Sequence, residues 1–310
     1  MKLTRKISFV IFFSLAVLAL IAPAEAQDGK QRATAKPVTV PVTIRLRESK
    51  PVEMRFVDYL LKEDGEMQTI LSARTPNDSP MTLAILLQDD LSPTVSVEAR
   101  NLAAFVRNQP GGSRVMVAYI RSGTLDVRRK FTTELDKAAG SVRPPLGLAS
   151  AAPYNPYVEI IEALRRFDSQ PLGRRAMIVV SDGLDISRGA DSSSPAASLD
   201  LERAITQAQR RSVAIYSIFV PPAADISQHL LSNAQSCLEK LSHETGGRAF
   251  FQGMSAPVSF DPFLREIDTL LGKQIALTYL STHPKKGFHK LDIKPLERDV
   301  EIRHPAGYVR

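Results

Sequence analysis

Short apolar runs and amphipathic segments alternate along the middle of the chain. Mostly aliphatic runs, typical of strands buried on both faces of a parallel sheet, occupy residues 83–87, 114–120, 176–180 and 213–220. Patterns with helical periodicity lie between and after them, at residues 96–108, 157–167, 201–211, 230–245 and 261–272. Because the connections are short and the two patterns alternate, the sequence predicts a doubly wound α/β domain with a mostly parallel sheet.

The two ends of the chain carry a different pattern. Residues 38–47 alternate branched apolar residues with others, and Glu63-Asp64-Gly65-Glu66 forms a turn between two short strand patterns. Further strand patterns without helices between them, which favour antiparallel pairing, lie at residues 275–280, 289–294 and 300–303. The predicted division is a β segment at residues 38–79, an α/β domain at 80–272 and a β segment at 273–310. The two outer segments are expected to pack together as a small antiparallel β module.

The first 26 residues have the parts of a secretory signal peptide. A start with three basic residues precedes an apolar run of 15 residues at 7–21, and Ala24-Glu25-Ala26 fits a cleavage site. An uncleaved membrane anchor is the alternative, but this run is shorter than the roughly 20 residues that span a bilayer. We therefore expect an exported protein, periplasmic or extracellular, without a membrane span after cleavage. Residues 27–37 are expected to form a flexible leader.

Composition narrows the classes of partner. The chain carries a formal net charge of +7, and loss of residues 1–26, which hold three basic residues and one acidic residue, leaves +5. The basic residues are scattered and form no stripe interleaved with aromatic side chains, so we expect no nucleic-acid partner. Cys237 is the single cysteine, which excludes an intrachain disulfide and indicates a buried structural thiol.

Two of the predicted strands end at acidic residues. The first aliphatic run stops at Gln88-Asp89-Asp90, with hydroxyls following at Ser92 and Thr94, and the third stops at Ser181-Asp182-Gly183. Ligands of open α/β sheets bind beyond the carboxyl ends of the strands, so Asp90, Ser92, Thr94 and Asp182 are candidates for one site. A set of oxygen donors alone suits a hard cation such as Mg²⁺.

Enzymatic alternatives find little support in the sequence. Phosphoryl-transfer hydrolases with D-x-D-x-T need a second Asp as acid or base where this chain has Ser92. Receiver domains also carry an acidic pair, which Asp89-Asp90 imitates, but they are cytoplasmic, and the signal peptide argues against them. No G-x-S-x-G or phosphate-binding glycine motif occurs, and the histidines lack metal-site spacing, so His283 and His289 are expected at the surface. We expect no enzymatic activity, with a hydrolase as a distant alternative.

The order of these motifs resembles the von Willebrand factor A domain. That family places D-x-S-x-S after its first strand and T/S-D-G after a central one, where this chain has Asp90-x-Ser92-x-Thr94 and Ser181-Asp182-Gly183. The resemblance covers residues 80–272. The ending Arg303-His304-Pro305-Ala306-Gly307-Tyr308 and the turn Glu63-Asp64-Gly65 are similar to those of an exported bacterial subfamily, the VWFA-related domain first described in Acidobacteria.

This resemblance implies a metal-ion-dependent adhesion site. In such a site Asp90, Ser92 and Thr94 bind Mg²⁺ directly, and Asp182 binds it through a water molecule. An acidic side chain of a protein ligand then fills the open position on the ion. The family's further Thr is missing from this chain, and Ser150 is the candidate substitute.

The departures from the family pattern leave two interpretations open. The register puts Tyr154 or Asn155 where the family has its further Thr, and Asn155 is also explained as the cap of the following helix. One interpretation is an adhesion or interaction protein with a Mg²⁺ site. The other is a metal-free scaffold of the same fold that binds partners by its helix faces or its β module. Beyond Asp182, Asp185 and Asp191 are expected to be exposed, on a loop at residues 189–198 that is expected to be mobile.

Overall fold

The structure is a computed structural model, and it describes residues 35–46, 58–121, 123–147, 155–296 and 300–310. The predicted signal peptide, most of the predicted leader and Ser150 lie outside these residues. For Leu46 and Thr94 the backbone is described but the side chain is not.

A six-stranded sheet forms the centre of the molecule, in the order β10-β9-β8-β5-β6-β7. Its strands are β5 (Thr82–Gln88), β6 (Arg114–Arg121), β7 (Thr124–Thr132), β8 (Arg175–Ser181), β9 (Ala214–Phe219) and β10 (Ala249–Phe250). Neighbouring strands are parallel except β7, which runs antiparallel to β6 at one edge. β5 and β8 are completely buried, as their aliphatic runs predicted. The doubly wound, mostly parallel sheet is therefore confirmed.

Helices cover both faces of this sheet. They are α1 (Ala99–Arg107), α2 (Leu135–Ala139), α3 (Pro156–Arg165), α4 (Leu199–Arg211), α5 (Gln228–Glu244) and α6 (Asp261–Gly272). The helices α1, α2 and α6 pack on one face, and α3, α4 and α5 pack on the other. A 3-10 turn at Pro93–Glu98 precedes α1, which therefore begins three residues later than its pattern predicted. In the described part of the chain no helix is both long and apolar enough to cross a bilayer.

The two ends of the chain build the expected β module, which consists of two four-stranded antiparallel sheets. Their orders are β13-β1-β11-β4 and β14-β12-β2-β3. The strands are β1 (Lys36–Leu46), β2 (Tyr59–Glu63), β3 (Glu66–Met67), β4 (Thr69–Arg74), β11 (Gln274–Ser281), β12 (Phe288–Pro295), β13 (Val300–Arg303) and β14 (Gly307–Val309). Alternating residues of β1 and β11, such as Val40 and Leu277, share one apolar core with Leu61 and Ile293. β14 was not predicted, and the two short strands expected around the turn at residues 63–66 are three in the structure, β2, β3 and β4.

Several hydrogen bonds join the module to the α/β domain, and those of Arg174 and Arg303 mark two of the places. At the first, Arg174 is buried and donates hydrogen bonds to the carbonyl oxygens of Gln274 at 2.7 Å, Ser79 at 3.2 Å and Leu271. At the second, Arg303 Nη1 donates to the carbonyl oxygen of Gly247 at 3.0 Å. These contacts tie the start of β8 to the start of β11, and β13 to the turn after α5.

The prediction that His289 lies at the surface is wrong. His289 is 5% exposed, with Nδ1 2.7 Å from Asp64 Oδ2 and Nε2 2.9 Å from the carbonyl oxygen of Lys285. Because both partners are acceptors, this arrangement favours the imidazolium form, in which both ring nitrogens donate. Burial lowers the pKa of His289, but the hydrogen bonds to Asp64 and Lys285 and the charges of Asp64 and Glu63 outweigh it and raise that pKa. His283, also predicted at the surface, lies beside it and is partly buried.

This ion pair makes the stability of the protein depend on pH. Because the folded-state pKa of His289 lies above its unfolded value, its stabilisation is complete below about pH 6.5 and is lost as pH rises through the folded-state pKa. We expect His289→Gln to lose less stability than the unchanged protein between pH 6 and pH 9. Urea unfolding at several pH values measures this, with the exposed His243→Gln as control. Equal pH dependence of the His289 variant and the unchanged protein would contradict the assignment.

Candidate interaction site at the carboxyl edge of the sheet

The structure brings Asp90 and Asp182 to the same edge of the central sheet. β5 and β8 are parallel neighbours, with Leu87 opposite Val180, so the residues that follow them emerge side by side. Asp182 is buried and Asp90 is half-buried. Of the other predicted site residues, Ser92 starts the 3-10 turn, and its backbone N–H donates to the carbonyl oxygen of Pro221 at 3.1 Å.

The side chain of Gln88 joins the two carboxylates. Its Nε2 donates to Asp90 Oδ1 at 2.8 Å and to Asp182 Oδ2 at 2.7 Å. Its Oε1 accepts from Ser181 Oγ at 2.6 Å and from the backbone N–H of Asp182 at 3.1 Å. The partners fix the orientation of the amide, because a flipped amide would turn its oxygen towards both carboxylates.

The Ser181-Asp182-Gly183 turn holds Asp182 in place. Asp182 Oδ1 accepts from the backbone N–H of Leu184 at 2.9 Å. Gly183 has φ +70°, and a Cβ there would lie 2.5 Å from Leu238 Cγ on α5, so the turn requires glycine. Burial raises the pKa of Asp182 to about 7; hydrogen bonds from Leu184 and Gln88 oppose the rise, and the charge of Asp90 adds to it.

The arrangement of Asp90, Gln88 and Asp182 does not fit a cation between the carboxylates. A bound Mg²⁺ needs oxygen lone pairs at about 2.1 Å, or waters that present them. Here the oxygens that face each other both accept from an N–H donor, and the amide nitrogen lies between them. Among the described residues, no three His, Cys, Asp or Glu side chains are placed so that they could hold a metal ion.

The neighbouring Asp89, in the turn after β5, points away from this site towards Arg143. Arg143 binds it through two parallel hydrogen bonds, of 2.6 Å to Oδ1 and 2.7 Å to Oδ2. The Arg143 guanidinium also lies 3.9 Å from the centre of the Tyr119 ring. The acidic pair therefore has two roles: Asp89 fastens the loop before α3, and Asp90 belongs to the edge site. Sequence analysis identified neither Gln88 nor Arg143 as part of this edge.

The structure confirms one expectation for the loops at this edge and contradicts another. Asn155 caps α3, with Oδ1 accepting from the backbone N–H of Tyr157 at 3.0 Å, which confirms the cap interpretation. Asp185, however, is buried, contrary to the prediction, and accepts from Ser187 Oγ and Ser198 Oγ at 2.7 Å each. These bonds hold the loop that was expected to be mobile.

That loop also packs against α5. It contains a 3-10 turn at Ala190–Ser193, and Ser193 is completely buried. Asn233 Nδ2 donates to Ser193 Oγ at 3.0 Å, and the Cys237 thiol donates to the carbonyl oxygen of Ser193 at 3.2 Å. Cys237 is therefore the buried structural thiol that was predicted.

No protein-family model matches this sequence, and no curated protein matches it. Among solved structures, the chain is similar to an aerotolerance-related membrane protein from Bacteroides fragilis, with 16% identity, a TM-score of 0.42, and 62% of this chain and 99% of that one covered. It is also similar to the vWF domain of the type V pili tip protein Mfa5 from Porphyromonas gingivalis. The identity is 10% and the TM-score is 0.44, with 62% of this chain and 96% of that one covered. A third similar structure is a von Willebrand factor type A protein from Catenulispora acidiphila. The identity is 12% and the TM-score is 0.44, with 89% of this chain and 74% of that one covered.

Proposed function

We propose that this chain is an exported, non-enzymatic protein of the von Willebrand factor A type that binds a partner protein at the carboxyl edge of its central sheet. The observation that carries the proposal is the meeting of Asp90 and Asp182 at adjacent strand ends, where sheets of this topology bind ligands. The proposal of export relies on the signal-peptide pattern of residues 1–26.

The proposed contact does not use a cation. Binding of Mg²⁺ by Asp90, Ser92, Thr94 and Asp182, with Ser150, stays a prediction from the family resemblance. Without an ion, a negative Asp90 repels an acidic side chain of a partner, so the family's acidic ligand is a poor match for this edge. We therefore place the recognition in apolar contacts made by loops that follow strands of the same sheet.

Apolar side chains of two neighbouring loops are available for such contacts. Val97 follows β5 and is 66% exposed, and Val258 follows β10 and is 87% exposed. The two loops are fastened together, because Glu98 Oε2 accepts from the backbone N–H of Phe260 at 2.7 Å. Exposed apolar side chains on loops that are hydrogen-bonded to each other are the surface that we propose for the partner.

The experiment identifies a partner by cross-linking in the exported fraction and then titrates the purified partner with the purified protein. We expect Val97→Asp with Val258→Asp to weaken binding about tenfold or more, and EDTA to leave it unchanged. Leu172→Asp is the matched control, because Leu172 is equally exposed but lies before β8, at the opposite edge. Loss of binding in EDTA would restore the metal-dependent interpretation, and full binding by the double variant would exclude this surface.

A further inference from the structure

The geometry points to Gln88 as a built-in substitute for a cation: its amide holds Asp90 and Asp182 together, and its removal opens a divalent-cation site between them. The inference deepens the proposed function, since it concerns the same edge. It does not depend on any partner, however, because its test uses metal ions alone.

Gln88 uses every hydrogen-bonding group of its amide. An amide has two N–H donors and an oxygen with two lone pairs, and all four are used within the edge itself. The side chain is completely buried. Displacement of this buried amide by an ion is unfavourable, because each broken hydrogen bond leaves a polar group without a partner.

Gln88 is placed between the two carboxylates by its position in the sheet. It is the last residue of β5, with Asp90 two residues further on in the turn that follows and Asp182 directly after the neighbouring strand β8. Its amide therefore reaches Asp90 and Asp182 together, and the positive ends of its two N–H dipoles face the two carboxylates. A divalent ion in the family's site would face the same two carboxylates.

Removal of the amide leaves oxygen ligands around the space that it occupied. A small residue at position 88 leaves a space lined by Asp90 Oδ1, Asp182 Oδ2 and Ser181 Oγ, each of which has lost its hydrogen bond to Gln88. These are all oxygen ligands, which Mg²⁺ and Mn²⁺ prefer. Asp90 is half-buried, so an ion has a path from solvent.

The experiment measures Mn²⁺ binding by calorimetry and by electron paramagnetic resonance, and the midpoint of thermal unfolding with and without Mg²⁺. We expect the unchanged protein to show no change of midpoint with either ion. Gln88→Ala is expected to unfold at lower temperature in EDTA, to recover part of the loss when the ion is added, and to bind one Mn²⁺ at least about tenfold more tightly than the unchanged protein.

Two further variants separate an opened site from simple destabilisation. Gln88→Leu fills the space without donors or oxygen ligands and is expected to be destabilised but unresponsive to ions. Gln88→Ala combined with Asp90→Asn is expected to lose the response of the single variant. If Gln88→Ala unfolds, Gln88→Ser takes its place. Mn²⁺ binding by the unchanged protein that Asp90→Asn removes would overturn the inference, as would a folded Gln88→Ala or Gln88→Ser variant that binds no ion.

Discussion

Methionine in place of Arg174 should lower the free energy of unfolding by about 3–5 kcal/mol. The guanidinium is buried and donates to three carbonyl oxygens, those of Ser79, Leu271 and Gln274. Burial lowers the pKa of Arg174 to about 10, so the group stays charged at neutral pH. Methionine fills much of the space but donates no hydrogen bond, which leaves three carbonyls without their partner at the joint between domain and module.

Urea unfolding at neutral pH measures this loss. Arg165→Met is the control, because Arg165 is exposed near the end of α3, and it should change the stability by less than about 0.5 kcal/mol. A loss of under about 1 kcal/mol in the Arg174 variant would mean that water or a neighbouring group replaces the guanidinium.

The second large effect is expected at Gly247, where an alanine has no room. A Cβ on Gly247 would lie 1.9 Å from the carbonyl oxygen of Ile215 and 2.5 Å from its carbonyl carbon. Both atoms belong to the backbone of β9, so relief requires movement of the strand or of the turn that holds Gly247. We expect Gly247→Ala to cost about 4 kcal/mol or more.

The same substitution should loosen the C-terminal tail. Arg303 donates to the carbonyl oxygen of Gly247, so displacement of the turn weakens the attachment of β13. Trypsin should then cleave after Arg303 faster than in the unchanged protein. Gly111→Ala is the matched control, because nothing lies within 4 Å of a Cβ there. Equal stability of the two variants would show that β9 or the turn moves to admit the Cβ without loss of folding free energy.

The parts of the fold that the sequence predicts well are those with a long, regular pattern. The buried strands β5 and β8 and the capped helix α3 all have one. β14 was not predicted, because its three residues are too few to show any periodicity. The 3-10 turn at Pro93–Glu98 was not predicted either, because its apolar positions also fit the first turn of an α-helix.

The site was predictable in position but not in chemistry. Strand ends show where Asp90 and Asp182 emerge, because parallel neighbours end at one edge. The role of Gln88 depends on a contact with a residue 94 positions away, which no local pattern records. Asp185 and His289 were placed at the surface because polar residues usually lie there, and each is buried with partners distant in the sequence.

The β module has a consequence for the order of folding. β1 and β11 pair although they come from opposite ends of the described chain, with Thr43 opposite Gln274. Closing a flexible loop of roughly 200 residues costs about 5 kcal/mol in chain entropy. A folded α/β domain removes most of that cost, since Arg174 holds the end of α6 beside the start of β8. The module should therefore be the last part to fold and the first to exchange its amide hydrogens, and an excised module should not fold alone.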